Sequence, residues 1–65
     1  MNIDVKLREK LLGLTVEEAK KQIDGFTIRV RKEDGVAYFV TADVKLNRIN
    51  VEVNNKLIVE VFGLG

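Results

Sequence analysis

The sequence predicts an α+β domain in which one helix packs on a small mixed parallel and antiparallel sheet. One segment begins with a helix-capping pattern, and later segments alternate apolar and polar residues as half-buried strands do. A long connection, residues 36–47, separates two of these strands. Because a connection of this length can return the chain to the same end of a sheet, the two flanking strands can run parallel, with the connection exposed as a loop at the edge.

Length and composition indicate one domain that spans residues 1–65. The chain has 32% charged residues and contains neither cysteine nor histidine. These absences remove the thiol nucleophile, the commonest general base and the usual zinc ligands. No pair of acidic or basic residues has a spacing that suggests acid–base catalysis. We therefore expect no enzyme activity, no metal site and no cofactor.

Charge and hydropathy limit the classes of partner. The formal net charge is +1, which argues against a protein that binds nucleic acid through bulk charge. No run of residues is long and apolar enough for a membrane span, and the N-terminus lacks the apolar core of a signal peptide. We expect a soluble chain without a nucleic-acid or membrane partner, and a monomer rather than an oligomer. The compartment stays open.

Residues 1–10 have no clear pattern and form an N-terminal extension in this interpretation. The alternation of Ile3, Val5 and Leu7 allows a short strand, whereas residues 8–12 allow a helical turn.

The clear helix signal begins at Thr15. With Glu18 three residues later, Thr15 matches a capping box, in which each side chain binds the other residue's amide. Gly25 is the expected stop, which gives a helix of about three turns. One face carries the residues expected to dock on the sheet: Val16, Ala19, Lys20 and Ile23.

Two segments alternate as half-buried strands. Residues 26–31 place Phe26, Ile28 and Val30 on one side, and a polar turn follows at residues 32–35. Residues 48–53 place Ile49, Val51 and Val53 on one side and Arg48, Asn50 and Glu52 on the other. These two strands are the predicted parallel pair.

A hairpin closes the domain. Asn54 and Asn55 are predicted to form its turn, because asparagine tolerates a positive φ. Residues 57–62 form the last strand. Glu60 marks its outward face, which predicts that Leu57, Val59 and Val61 point inward.

The stretch from Val40 to Val51 changes character at Arg48. Residues 41–45 mix small, acidic, apolar and basic side chains without a period, as an exposed extended loop does. Arg48 is the first outward residue of the strand that follows. Its guanidinium can bind two acceptors at once. The simpler interpretation is a solvated arginine, or one paired with Glu52 on the same face.

These residues resemble the potato inhibitor I family of serine-protease inhibitors, the eglin-like proteins. Thr41-Ala42-Asp43, followed five residues later by Arg48-Ile49, is similar to the family's reactive loop and next strand. The helix entry, residues 12–21, is similar as well, and so are the Asn54-Asn55 turn and the terminal glycine. The Asp34-Gly35 turn is closer to the bacterial members than to the plant ones.

The resemblance implies a serine-protease inhibitor whose reactive bond is Ala42–Asp43 in an extended, substrate-like loop. The small Ala42 implies elastase-like or subtilisin-like target proteases. The residues of the reactive loop are Val40, Thr41, Ala42, Asp43, Val44 and Lys45.

Support for the loop is expected from Arg48, which can bridge the Thr41 hydroxyl and the Asp43 carboxylate. The resemblance implies that the main-chain carboxylate of Gly65 holds this arginine. The family's second supporting arginine is replaced by Asn50, and the tryptophan of plant members is missing. These departures imply weaker loop support.

The alternative is a binding module that keeps this fold without inhibiting proteases. It would use the loop, or the face that carries Arg29 and Arg31, to bind another protein or a small anionic ligand, and it could act as an oligomer. Inhibition assays against serine proteases separate the two hypotheses.

Overall fold

The structure is a computed structural model that describes residues 5–65, so the expectation for Ile3 lies outside the described residues. Its elements, in chain order, are α1 Val5–Leu11, α2 Val16–Gln22, β1 Thr27–Glu33, β2 Val36–Ala37, β3 Arg48–Asn54 and β4 Leu57–Leu64. The predicted α+β class is confirmed. The sheet order is β2-β1-β3-β4, with β1 and β3 parallel and the other neighbours antiparallel. Within residues 5–65, no helix is long and apolar enough to cross a membrane.

The described part of the N-terminal extension is a helix, so two helices pack on the sheet where one was predicted. Leu7 and Leu11 lie four residues apart and therefore share a face of α1. Leu11 is fully buried and Leu7 packs against the core. Arg8, on the same helix, donates to the Glu60 carboxylate of β4. The sequence signal was weak because seven residues hold too few turns to show a helical period.

The predicted capping box of α2 is confirmed. The Glu18 amide donates to Thr15 Oγ1 at 3.1 Å, and the Thr15 amide donates to Glu18 Oε1 at 3.0 Å. These hydrogen bonds lower the pKa of Glu18. The helix stops at Gln22, earlier than the predicted stop at Gly25, because Ile23 already has an extended conformation.

The core lies between the helices and one face of the sheet. Its buried apolar residues are Leu11, Ala19, Ile49, Val51, Val53, Ile58 and Val61. The alternation predicted for β3 is therefore confirmed for its apolar residues, which are buried, and for Arg48 and Glu52, which are half-exposed, whereas Asn50 is buried. The opposite face of β1 and β3 is left for polar side chains, and the loop after β2 packs over it.

The prediction for the last strand is wrong at two positions. Leu57 and Val59 are 41% and 46% exposed, whereas Ile58 and Val61 are buried. The pairing of β3 with β4 shifts register twice. Each bulge reverses the face of the residues that follow, so simple alternation from Glu60 fails. The turn also falls one residue later than predicted, at Asn55 and Lys56, whose φ values are 50° and 70°.

Candidate reactive loop and its support

The loop of residues 38–47 leaves the sheet after β2 and returns at β3. All its residues are exposed except Val40, which is half-buried. Main-chain hydrogen bonds fix both of its ends. The Tyr38 amide donates to Arg31 O at 2.9 Å, and Asn47 O accepts from the Thr27 amide at 2.8 Å. The loop is thus an exposed segment between two anchored ends.

Arg48 connects the loop to the end of β4. Its Nη2 donates to the main-chain oxygen of Asp43 at 2.8 Å, and its Nη1 lies 3.4 Å from Asp43 Oδ2. Its Nε donates to the main-chain oxygen of Gly65 at 2.8 Å. The Arg48 side chain is only 11% exposed. Arg48 therefore binds the loop from below and is not a solvated strand residue.

The predicted bridge from Arg48 to the Thr41 hydroxyl is absent. Thr41 Oγ1 instead donates to Asp43 Oδ1, within the loop. This hydrogen bond, helped by the charge of Arg48, lowers the pKa of Asp43. Glu52 lies 4.0 Å from Lys32 Nζ. The alternative pairing of Arg48 with Glu52 is therefore not what the structure shows.

A second arginine, Arg29 on β1, holds the other side of Ala42. Its Nη1 donates to the main-chain oxygen of Thr41 at 3.4 Å, and its Nε donates to Asn50 Oδ1 at 2.7 Å. Its Nη2 lies 3.5 Å from Gly65 O. The sequence pattern had placed Arg29 on the outward face of β1 but did not identify it as a loop support. The signal that could have found it is the parallel register, which sets Arg29 beside Asn50.

Asn50 is buried, with 4% exposure, and connects Arg29 to Gly63 and Gly65 at the end of β4. Its Oδ1 accepts from Arg29, while its Nδ2 lies 3.1 Å from Gly65 O and 3.3 Å from Gly63 O. The Gly65 amide donates to Arg48 O at 3.0 Å. The main-chain oxygen of Gly65 is thus the common acceptor for Arg29, Arg48 and Asn50. All three expected support residues, Arg48, Asn50 and Gly65, meet at one place.

The charges of the site include two neighbouring guanidinium groups and the carboxylate of Asp43. Removal from water, together with the charges of Arg48 and Arg31, lowers the pKa of Arg29. A guanidinium remains protonated in proteins despite such a shift. The two cations are therefore held close together, and Asp43 is the carboxylate that offsets their repulsion.

The side chains of Ala42, Val44 and Lys45, which also belong to the predicted reactive loop, make none of these supporting contacts. Ala42 is exposed between the two held residues, and Val44 is 72% exposed. Lys45 is exposed as well, and its main-chain oxygen accepts from the Arg48 amide at 3.2 Å. Across residues 5–65 no group of three or more acidic, cysteine or histidine side chains could hold a metal ion.

The geometry thus has three parts: an exposed loop, two arginines that bind it from the sheet, and a main-chain oxygen that holds both arginines. Comparisons of the chain with protein-family models, with curated protein sequences and with solved structures found no match.

Proposed function

We propose that the protein is a serine-protease inhibitor that presents Ala42–Asp43 as its reactive bond. One observation supports this most directly. Arg29 and Arg48 bind the main-chain oxygens of Thr41 and Asp43, the residues on either side of Ala42. The exposed residue between two held carbonyls is where a substrate-like inhibitor needs its reactive bond.

The support has a chemical consequence for the protease reaction. The protease serine attacks the Ala42 carbonyl, and cleavage releases the amine of Asp43. Arg48 holds Asp43 through both its main-chain oxygen and its carboxylate. The new amine therefore stays beside the acyl-enzyme and can attack it to re-form the peptide bond. Arg29 holds the acyl side in the same way, through Thr41.

The support also favours binding before any cleavage. A flexible loop loses about 0.5–1.5 kcal/mol for each side chain that binding immobilises. Here the hydrogen bonds of Arg29, Arg48 and Asp43 order the loop in the free protein. The small, exposed Ala42 suits the shallow apolar pockets of elastase-like or subtilisin-like enzymes.

The second candidate function is a binding module that does not inhibit proteases. Its anionic-ligand version depends on the face that carries Arg29 and Arg31. The Arg29 guanidinium already binds Thr41, Asn50 and Gly65, and Arg31 lies 5.8 Å from the centre of the Phe62 ring. To bind an anionic ligand, these two arginines would have to give up their contacts within the protein. This favours the inhibitor over the binding module.

The experiment is an inhibition assay of the parent and two variants against a panel of elastase-like and subtilisin-like proteases. Ala42→Leu should shift inhibition towards enzymes with deeper apolar pockets, because each added buried methylene contributes ~0.8 kcal/mol. Ala37→Leu is the matched control, since Ala37 is exposed in β2, outside the reactive loop. We expect Ala37→Leu to leave the preference unchanged. If the parent inhibits no enzyme of the panel, the inhibitor proposal is rejected and the binding module is favoured.

A further inference from the structure

Phe39 is the most exposed large apolar residue that the structure describes. Its relative exposure is 108%, against 37% for Phe26 and 49% for Phe62. The other two phenylalanines are partly covered, and Phe62 also lies under the Arg31 guanidinium. A fully exposed aromatic ring gains nothing for the fold, because it buries no area in the isolated chain.

The position of Phe39 is nevertheless fixed by its neighbours. On one side, Tyr38 is bound to β1 through its amide, at 2.9 Å from Arg31 O, and through its hydroxyl, which donates to Glu33. On the other side, Thr41 O accepts from Arg29. Phe39 therefore lies in a short segment with both ends attached to the sheet, which limits the ordering cost of presenting its ring to a partner.

We propose that Phe39 is a second anchor of the inhibitor, inserted in an apolar pocket of the protease next to the one that receives Ala42. This inference rests on the proposed function. Phe39 precedes Ala42 by three residues, so an extended chain carries its ring to about 10 Å from the primary pocket. The target is then a protease that prefers a large apolar residue three positions before the cleaved one, whether it is elastase-like or subtilisin-like.

Aromatic anchors in desolvated pockets commonly dominate the binding energy of small interfaces. Ala42 offers a single methyl group and can contribute little through its own pocket. The target enzyme would therefore be selected by Phe39 more than by Ala42. Affinity for proteases without the neighbouring pocket should be correspondingly low.

The test compares Phe39→Ala and Phe39→Leu with Leu46→Ala. Leu46 is the matched control, because it is 62% exposed in the same loop but lies beyond the reactive-loop residues. The proteases are sorted beforehand with peptide substrates into those that prefer phenylalanine over alanine three positions before the cleaved residue and those that do not.

We expect Phe39→Ala to weaken inhibition of the phenylalanine-preferring proteases by about 10- to 100-fold, the loss that corresponds to removing one buried aromatic side chain. Inhibition of the other proteases should change by less than about threefold, and Leu46→Ala should behave as the parent throughout. Phe39→Leu should retain most of the affinity. The urea midpoints of all variants should match that of the parent, because none of these side chains is buried.

The outcomes separate this inference from the proposed function. If the parent inhibits and Phe39→Ala inhibits each protease as well as the parent does, Phe39 is not an anchor, while the inhibitor function stands. If the parent inhibits none of the proteases, both the inhibitor function and the Phe39 anchor are rejected.

Discussion

At this site the position of the second guanidinium matters more than which strand supplies it. The resemblance placed both supporting arginines on β3 and found Asn50 at the second position. In the structure, β1 supplies the second guanidinium from Arg29, and Asn50 binds it at 2.7 Å. Asparagine at this buried position is thus part of the support and not a defect of it. The expectation of weaker support came from the count of arginines in one strand.

This account predicts that Arg29 and Asn50 act as a pair whose roles can be exchanged. Arg29→Asn should weaken inhibition, because charge-assisted hydrogen bonds contribute roughly 1.5–3 kcal/mol each at most. Asn50→Arg alone should also weaken it, since a third guanidinium would crowd Arg29 and Arg48. The double variant Arg29→Asn/Asn50→Arg should recover much of the loss, because one guanidinium again lies beside Gly65 O. A double-mutant cycle of inhibition constants measures this coupling.

Simple addition of the two single effects would contradict the pairing. Arg31→Ala is the control for a lost positive charge on β1. The Arg31 guanidinium lies over the Phe62 ring, and the loop is bound only by the main-chain oxygen of Arg31, which alanine keeps.

Sequence reasoning found one half of the site because that half is local. Asp43 and Arg48 are five residues apart, and their contact follows from a loop that turns directly into a strand. Arg29 is distant in sequence from both, and its role depends on the register of a parallel pair. Alternation predicts which face Arg29 occupies, but it does not predict which residue of β3 lies beside it.

At the scale of elements, the patterns with a local cause were the reliable ones. The cap of α2 and the strand β3 were predicted because their hydrogen-bond and burial patterns are complete within a few residues. The faces of β4 were not, because its two bulges depend on how β4 pairs with β3. The bulged strand is held on its other side as well, where the Gly13 amide donates to Ile58 O and the Ile58 amide donates to Leu14 O, both at 2.8 Å.

The helix cap yields a prediction that separates stability from function. Thr15→Ala should lower the free energy of unfolding by roughly 0.5–2 kcal/mol, because it removes the hydroxyl that accepts from the Glu18 amide. Inhibition should be unchanged while the protein remains folded, since α2 packs on the sheet face opposite the loop. Urea denaturation and an inhibition assay of the same samples check both parts.

Thr15→Ser is the matched control, because it keeps the capping oxygen and should keep most of the stability. If Thr15→Ala unfolds at the same urea concentration as the parent, the capping box does not stabilise the domain.

At the scale of the whole molecule, the sheet brings together the residues that support the loop. The first helix and the segment after it cover the edge of β4, the core fixes β1 and β3 side by side, and the polar face of these two strands holds the loop. The support draws on residues from both strands and from the end of β4, so it exists only in the folded chain. Without a disulfide, these hydrogen bonds are the means by which the loop is held.

The most direct test of this account is the fate of the Ala42–Asp43 bond when Arg48 is changed. The experiment incubates the parent, Arg48→Ala, Arg48→Lys and the control Arg31→Ala with an inhibited protease, and follows inhibition constants and cleavage by mass spectrometry. Denaturation midpoints of the same proteins report whether each variant is folded.

For Arg48→Ala we expect a loss of stability of roughly 1.5–3 kcal/mol at most and a much larger loss of inhibition, with fast cleavage at Ala42–Asp43. Inhibition by Arg48→Lys, and its rate of cleavage, should fall between those of Arg48→Ala and the parent. An ammonium keeps the charge but cannot bind Asp43 and Gly65 through one planar fork. Arg31→Ala should inhibit and resist cleavage as the parent does. An Arg48→Ala protein that is folded, inhibits as well as the parent and survives the protease as long would contradict the account.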